Sequence, residues 1–169
     1  MTAINYKETI RSALRDLWNS DRSLLDTNAS ERAICHRLAI YIEMRINDAG
    51  VKLNVDCEYN RMGSSVPKAL FGIKGTKIPK GKSVHPDIII HSRTNETENI
   101  LVLEVKKSSS KNIDKFDEKK IDGYVDELRY RNGYCVLIKV GAACKRSNCD
   151  NYYIFSHVRH SKPNASLNS

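Results

Sequence analysis

Two apolar runs constrain this chain more than any other feature: Ile88 to Ile90, entered through Pro86 and Asp87, and Ile100 to Val105, interrupted by Glu104 and followed by Lys106 and Lys107. The first reads as a strand buried on both faces. The polar stretch from Ser92 to Asn99 is short enough to join the two as an antiparallel hairpin. Side chains alternate along a strand, so Glu104 and Lys106 project one way while Leu103 and Val105 pack on the other, and Lys107 points away. Asp87, directly after Pro86, sits at the mouth of its strand, held rigidly and within reach of solvent. Pairing brings Asp87 beside Glu104 in one register only.

The surrounding chain supplies helices to cover such strands. Residues 5–19 form a helix with Ile10, Leu14, Leu17 and Trp18 on one stripe. A second helix starts at Asn28 or Ser30, either of which caps it, and runs to about Asp48, with Gly50 as its terminator. Its apolar face is Ile34, Leu38, Tyr41, Ile42 and Ile46, and Glu31 lies one turn before Ile34 on the same stripe, aiming a carboxylate toward the sheet. From Val51 to Tyr59 apolar and polar residues alternate, which predicts a strand whose wet face carries Lys52, Asn54, Asp56 and Glu58. Asp114 opens a third helix with Phe116, Ile121, Tyr124, Val125 and Leu128 inward, although Gly123 lies within it. Residues 134–140 and 151–158 read as strands joined by a basic, cysteine-containing turn, and 161–169 as a disordered tail. The fold class is α/β: a mixed central β-sheet flanked by helices, in a single domain over 1–160.

A chain of 169 residues with 40% apolar and 28% charged content supports one such core. No apolar run approaches the ~20 residues that cross a bilayer, so the expectation is a cytoplasmic protein with no membrane partner. Cys35, Cys57, Cys135, Cys144 and Cys149 include no CxxC pair and are read as reduced, with three at core-like positions. A net charge of +8 and a pI near 9.3 favour a polyanionic partner. The excess is concentrated: residues 61–83 carry Arg61, Lys68, Lys74, Lys77, Lys80 and Lys82 and no acid, among enough Gly and Pro to read as a long loop. Such a loop is either a solvated surface or a phosphate-contacting arm.

Pro86-Asp87 on one strand and Glu104-Val105-Lys106 on the next resemble the signature of the PD-(D/E)XK nuclease superfamily, whose core order of helix, three strands, helix and strand is similar to residues 30 to 140. Many members also carry a glutamate on the first core helix, the position Glu31 fits. The resemblance implies a restriction-endonuclease-like fold and a metal-dependent nuclease that hydrolyses phosphodiesters in DNA. It further implies catalytic roles for Asp87, Glu104, Lys106 and Glu31, and metal ligation by Asp87, Glu104, the Val105 carbonyl and Glu31. Mg²⁺ is the implied ion, with Mn²⁺ substituting, because hard oxygen ligands and phosphate oxygens suit it. It would polarise the scissile phosphate and lower the pKa of the attacking water, which Lys106 would orient or activate. The basic residues from Arg61 to Lys82 would hold the nucleic-acid backbone, and members of this family commonly act as homodimers.

His85 and Glu58 are further candidates near this constellation, and Lys119, Lys120 and Tyr124 of the third helix are candidates to reach nucleic acid; a strand-end histidine, a wet strand face, a solvated helix face and a core tyrosine are the plain readings that explain them adequately. For the acids, the plain alternative is a same-face charge pair on an exposed edge strand, contributing only ~0.2 to 1 kcal/mol. RNA stays open as the partner. The alternative function is a non-catalytic nucleic-acid-binding or assembly module that keeps the nuclease fold.

Overall fold

The computed structural model describes residues 4–62, 66–67, 69–70, 82–94, 98–110, 115–146 and 152–157. The helices are α1 (Tyr6–Ser20), α2 (Arg22–Asp26), α3 (Glu31–Asp48), α4 (Lys115–Asp126) and α5 (Ala142–Lys145). The strands are β1 (Asn54–Cys57), β2 (Arg61–Met62), β3 (Val66–Pro67), β4 (Ala69–Leu70), β5 (Lys82–Ser83), β6 (Ile88–His91), β7 (Asn99–Lys107), β8 (Asn132–Ile138) and β9 (Tyr152–His157). Five of them form one mixed sheet in the order β1-β6-β7-β8-β9, antiparallel except for β7 and β8, which run parallel. The parallel pair needs a crossover, and α4 lies within it.

Local chemistry sets the helix ends. The Asn5 side chain accepts a hydrogen bond from the Glu8 amide at the start of α1, and Ser30 does the same for Ala33 at the start of α3. The α3 terminus is followed by Gly50 in the left-handed region (φ 70), where a side chain is strained. The short helices α2 and α5 have no counterpart in the sequence reading, which assigned nothing between the first helix and Asn28 and took 141–150 as a turn. The strand expected over 51–59 is confined to Asn54–Cys57, and it ends where Glu58 takes a positive φ (50) and turns the chain out of the ladder.

The sheet separates two apolar clusters. On one side Ile88, Ile90, Leu101, Leu103, Val105, Val136 and Ile138 pack with the stripes of α1 and α3. On the other, Ile89 and Val102 pack with Ile121, Tyr124, Val125 and Leu128 of α4 and its C-terminal turn. All four β6 residues are buried, as a strand covered on both faces must be. Each of the aliphatic side chains contributes about 1.5–3 kcal/mol by leaving water. Cys35, Cys135 and Cys144 are buried in this core, while Cys57 lies at its exposed rim.

Within 61–83 the described residues form short paired strands, β2 with β3 and β4 with β5, where the sequence reading had a loop; the rest of the segment lies outside the described residues. Arg61 falls in β2 and Lys82 in β5; Lys68, Lys74, Lys77 and Lys80 lie outside the described residues, as do Asp114, Cys149 and the tail 161–169. No helix among the described residues is long and apolar enough to cross a membrane.

Asp56 departs from the wet face assigned to it. Its carboxylate accepts a hydrogen bond from Arg93 and bonds His91 Nε2 at 2.8 Å, with only 15% of its side chain exposed. Burial alone would raise its pKa; the hydrogen bonds and charges of Arg93 and His91 outweigh burial and hold it below the ordinary aspartate value. A carboxylate with a depressed folded pKa stabilises the fold above its unfolded pKa and loses that contribution as pH falls through the folded value. Asp56→Ala should therefore cost about 1–3 kcal/mol at neutral pH, and the deficit should shrink in acid, below about pH 4. Urea denaturation of both proteins at neutral and acid pH checks this; an equal deficit at both would refute the ionic account.

Candidate functional site

The antiparallel register of β6 and β7 pairs Ile88 with Leu103, so the residue before Ile88 comes opposite the residue after Leu103: Asp87 faces Glu104. A direct contact fixes this arrangement, since the Val105 backbone N–H donates to Asp87 Oδ2 at 2.7 Å. Glu104 lies on the central strand of the sheet and is completely buried. That disposes of the exposed-edge reading of Glu104 and Lys106.

Opposite charges gather around the two carboxylates. Lys106 Nζ stands 4.0 Å from Glu31 Oε1, which links the end of β7 to the first turn of α3. Lys120 of α4 donates to Glu104 Oε2 at 2.8 Å and stands 2.8 Å from Oε1 as well. Glu104 Oε1 is nevertheless buried without a hydrogen bond among the described residues. Burial first, and then the charge of Asp87, push the Glu104 carboxyl up to about 7 against the opposing pull of Lys120 and Lys106. The Tyr124 hydroxyl is raised as well, by burial and then by the Glu104 charge beside it.

Glu31 is brought to the site by fastenings behind it. Lys107 Nζ donates to the Ala29 carbonyl at 2.8 Å, and Ser109 Oγ bonds Asn28 Oδ1 at 3.0 Å, tying the turn before α3 to the end of β7. Asn28 takes a positive φ (54), and Ser30 then caps the helix. The result is an open cleft of about 440 Å³ lined by Ser30, Glu31, Arg32, Cys35, Cys57, Glu58 and Asp87. Burial raises both thiols, Cys57 to about 11 and Cys35 further, with the nearby carboxylate charges adding to the effect, so neither serves as a thiolate at neutral pH.

Of the four residues the sequence singled out, Asp87 and Glu31 line this cleft, while Glu104 and Lys106, not among its lining residues, stand next to them, Glu104 facing Asp87 and Lys106 near Glu31. Glu58 joins the rim of the cleft: its N–H donates to the Asp87 carbonyl (3.3 Å) and its carboxylate pairs with Arg32 at 2.8 Å. His85 is exposed, with Nε2 3.4 Å from Asn60 Nδ2, and does not line the cleft. Tyr124 is wholly buried and Lys120 is committed to Glu104, so neither is presented to a nucleic acid as the sequence reading allowed. Lys119 lies in α4. Sequence reasoning missed Arg32 and Cys35, whose signal was their position beside Glu31 and one turn beyond it. It also missed the Lys120 to Glu104 contact, for which a lysine four residues before a core tyrosine was the available cue.

The donor set suits a hard divalent cation. Mg²⁺ is held by one or two carboxylates together with waters and substrate phosphates rather than by a full protein cage, and the site offers two carboxylates whose charges oppose one another, one of them with a buried oxygen that makes no hydrogen bond among the described residues and has the Lys120 ammonium 2.8 Å away. Among the described residues no group of three His, Cys, Asp or Glu side chains stands in metal-holding geometry.

No family model matches the chain, and no curated protein does. A solved structure titled "Crystal structure of SSO0001" aligns over 96% of this chain and 71% of that one, at 16% identity and a TM-score of 0.37. So low a score carries no argument.

Asp87→Asn keeps an acceptor for the Val105 N–H while removing the charge that opposes Glu104. The Glu104 pKa should then fall below 7 in chelator-treated protein. Carboxyl-carbon NMR titration reads it directly; an unchanged value would show that burial alone sets the shift.

Proposed function

We propose that this chain is a metal-dependent nuclease of the PD-(D/E)XK type, hydrolysing phosphodiester bonds in DNA with Mg²⁺ or Mn²⁺. The observation that carries the reading is the placement of Asp87, at the entrance to β6, opposite Glu104 on the central strand β7, with Lys106 and Glu31 paired alongside. The order of α3, β1, β6, β7, α4 and β8 supports a restriction-endonuclease-like core. Asp87, Glu104 and the Val105 carbonyl are the proposed ligands, with Glu31 beside them. A bound cation would polarise the scissile phosphate and supply an acidified water.

The chain's own groups do the rest. Asp87 is pre-oriented by the Val105 N–H, which donates to its Oδ2, and the residue lines the cleft. Lys106, held toward Glu31, is the group that would orient the attacking water and offset charge developing on the phosphate. The rim of Arg32 and Glu58 bounds the side from which a strand of nucleic acid would enter. Basic residues from Arg61 to Lys82 would contribute phosphate contacts.

The Lys120 to Glu104 ion pair favours a second reading, a nucleic-acid-binding or assembly module in which an internal cation replaces the metal. Cleavage separates the two. Supercoiled and linear DNA incubated with Mg²⁺ or Mn²⁺ should be nicked by the natural chain, not in EDTA, and Asp87→Ala, Glu104→Gln and Lys106→Met should each lose about 10²-fold or more in rate. Retention of DNA without product in every metal condition would favour the module.

A salt titration tests the basic segment separately. If four of its cations contact phosphates, the slope of log affinity against log salt should be about −3.6, and neutralising Lys77 and Lys80 together should reduce it by about 1.8. A salt-insensitive interaction would remove the segment from the interface.

A further inference from the structure

We infer that Lys120 is an internal counter-ion that occupies the cation position of Glu104 and must leave at least one carboxylate oxygen when a divalent ion binds. The inference rests on the metal-site reading above and deepens it. Its basis is that one ammonium engages the whole carboxylate: Nζ lies 2.8 Å from Oε2 and 2.8 Å from Oε1. Glu104 is completely buried and the Lys120 side chain is only 19% exposed, so water does little to screen the pair. A divalent ion ligated by Glu104 would have to take one of those two oxygens and then sit within a few ångströms of the ammonium.

Like charges at that separation in a poorly screened site repel strongly. The two cations therefore compete for Glu104. Lys120 also has somewhere to go: its Nζ already lies 5.7 Å from the centre of the Tyr124 ring, whose face offers a departing ammonium a favourable position. Tyr124, one turn along α4, is fixed by burial and by an edge-on contact with Tyr130 at 6.4 Å. The pair keeps the carboxylates compensated while no metal is bound, and it sets a threshold concentration of free metal below which the site stays closed to it.

The test uses the full chain, stripped of metal, at mildly alkaline pH. Mn²⁺ and Mg²⁺ are titrated calorimetrically into the natural protein and into Lys120→Met, with circular dichroism confirming that both are folded. Removal of the competing cation should tighten Mn²⁺ binding by about tenfold or more, as expected from lost repulsion even at high effective dielectric. In the natural protein, the Lys120 Nζ resonance, assigned by its absence from Lys120→Met, should shift or disappear as Mg²⁺ is added. Should Lys120→Met fail to fold, that resonance, assigned by selective labelling, carries the test by itself.

Metal binding with equal affinity in both proteins and an unmoved Lys120 resonance overturns the counter-ion role while leaving the metal site standing. Weaker binding in Lys120→Met overturns it in favour of a lysine that positions Glu104 for the metal. No binding of either ion by either protein overturns the metal reading and this inference together.

Discussion

The arrangement depends on the burial of one carboxylate, Glu104, in the middle strand of a sheet covered on both sides. Removing an ionised carboxylate from water costs several kcal/mol after relaxation, and a second carboxylate, Asp87, stands opposite it. A strand needing only to fill a core would carry Ile or Val there. The fold instead supplies Lys120 from one helical layer and Lys106 near it, paired with Glu31 from the other. One layer thus points charge at Glu104 and the other at Lys106, two residues further along the same strand.

The same sheet explains why the site can be open on one side and rigid on the other. Behind it, the α3 layer is fastened to β7 through Lys107 and Ala29 and through Ser109 and Asn28. In front, the chain leaves β1 at Glu58 with a positive φ, which ends the ladder there and allows its backbone N–H to meet the Asp87 carbonyl. Early termination of β1 and the cap at Ser30 together create the gap lined by Arg32 and Glu58.

Much of this was legible in the sequence because it follows from local rules. The α1 and α3 stripes, the capping Ser30, the terminating Gly50 and the apolar β6 and β7 runs each specify their element through periodicity or turn chemistry. The association of Asp87 with Glu104 was only conditional, because register is set by long-range pairing and a slip of one residue would have turned Glu104 to the other face. Asp56 was placed in solvent because its strand alternates; what buries it is His91 and Arg93 from the neighbouring strand and its exit, about 35 residues on, which no window along the chain contains. The helices α2 and α5 were missed because five and four residues present too little periodicity to detect.

Lys120 shows most clearly why the site was harder to read than the fold. On a helix beginning near Lys115, lysines at 119 and 120 look like a solvated face, and the apolar stripe explains Tyr124 without any charge nearby. Tyr124 and Lys120 are one turn apart, however, so a helix that buries the tyrosine against the sheet carries the lysine toward it too. A lysine so placed needs an acid to meet, and along β7 the inward position that offers one is Glu104. The constraint therefore runs from packing to chemistry: once α4 docks through Tyr124, the ion pair follows from helix geometry, and the charge state of the buried carboxylate is tied to how firmly that helix sits on the sheet.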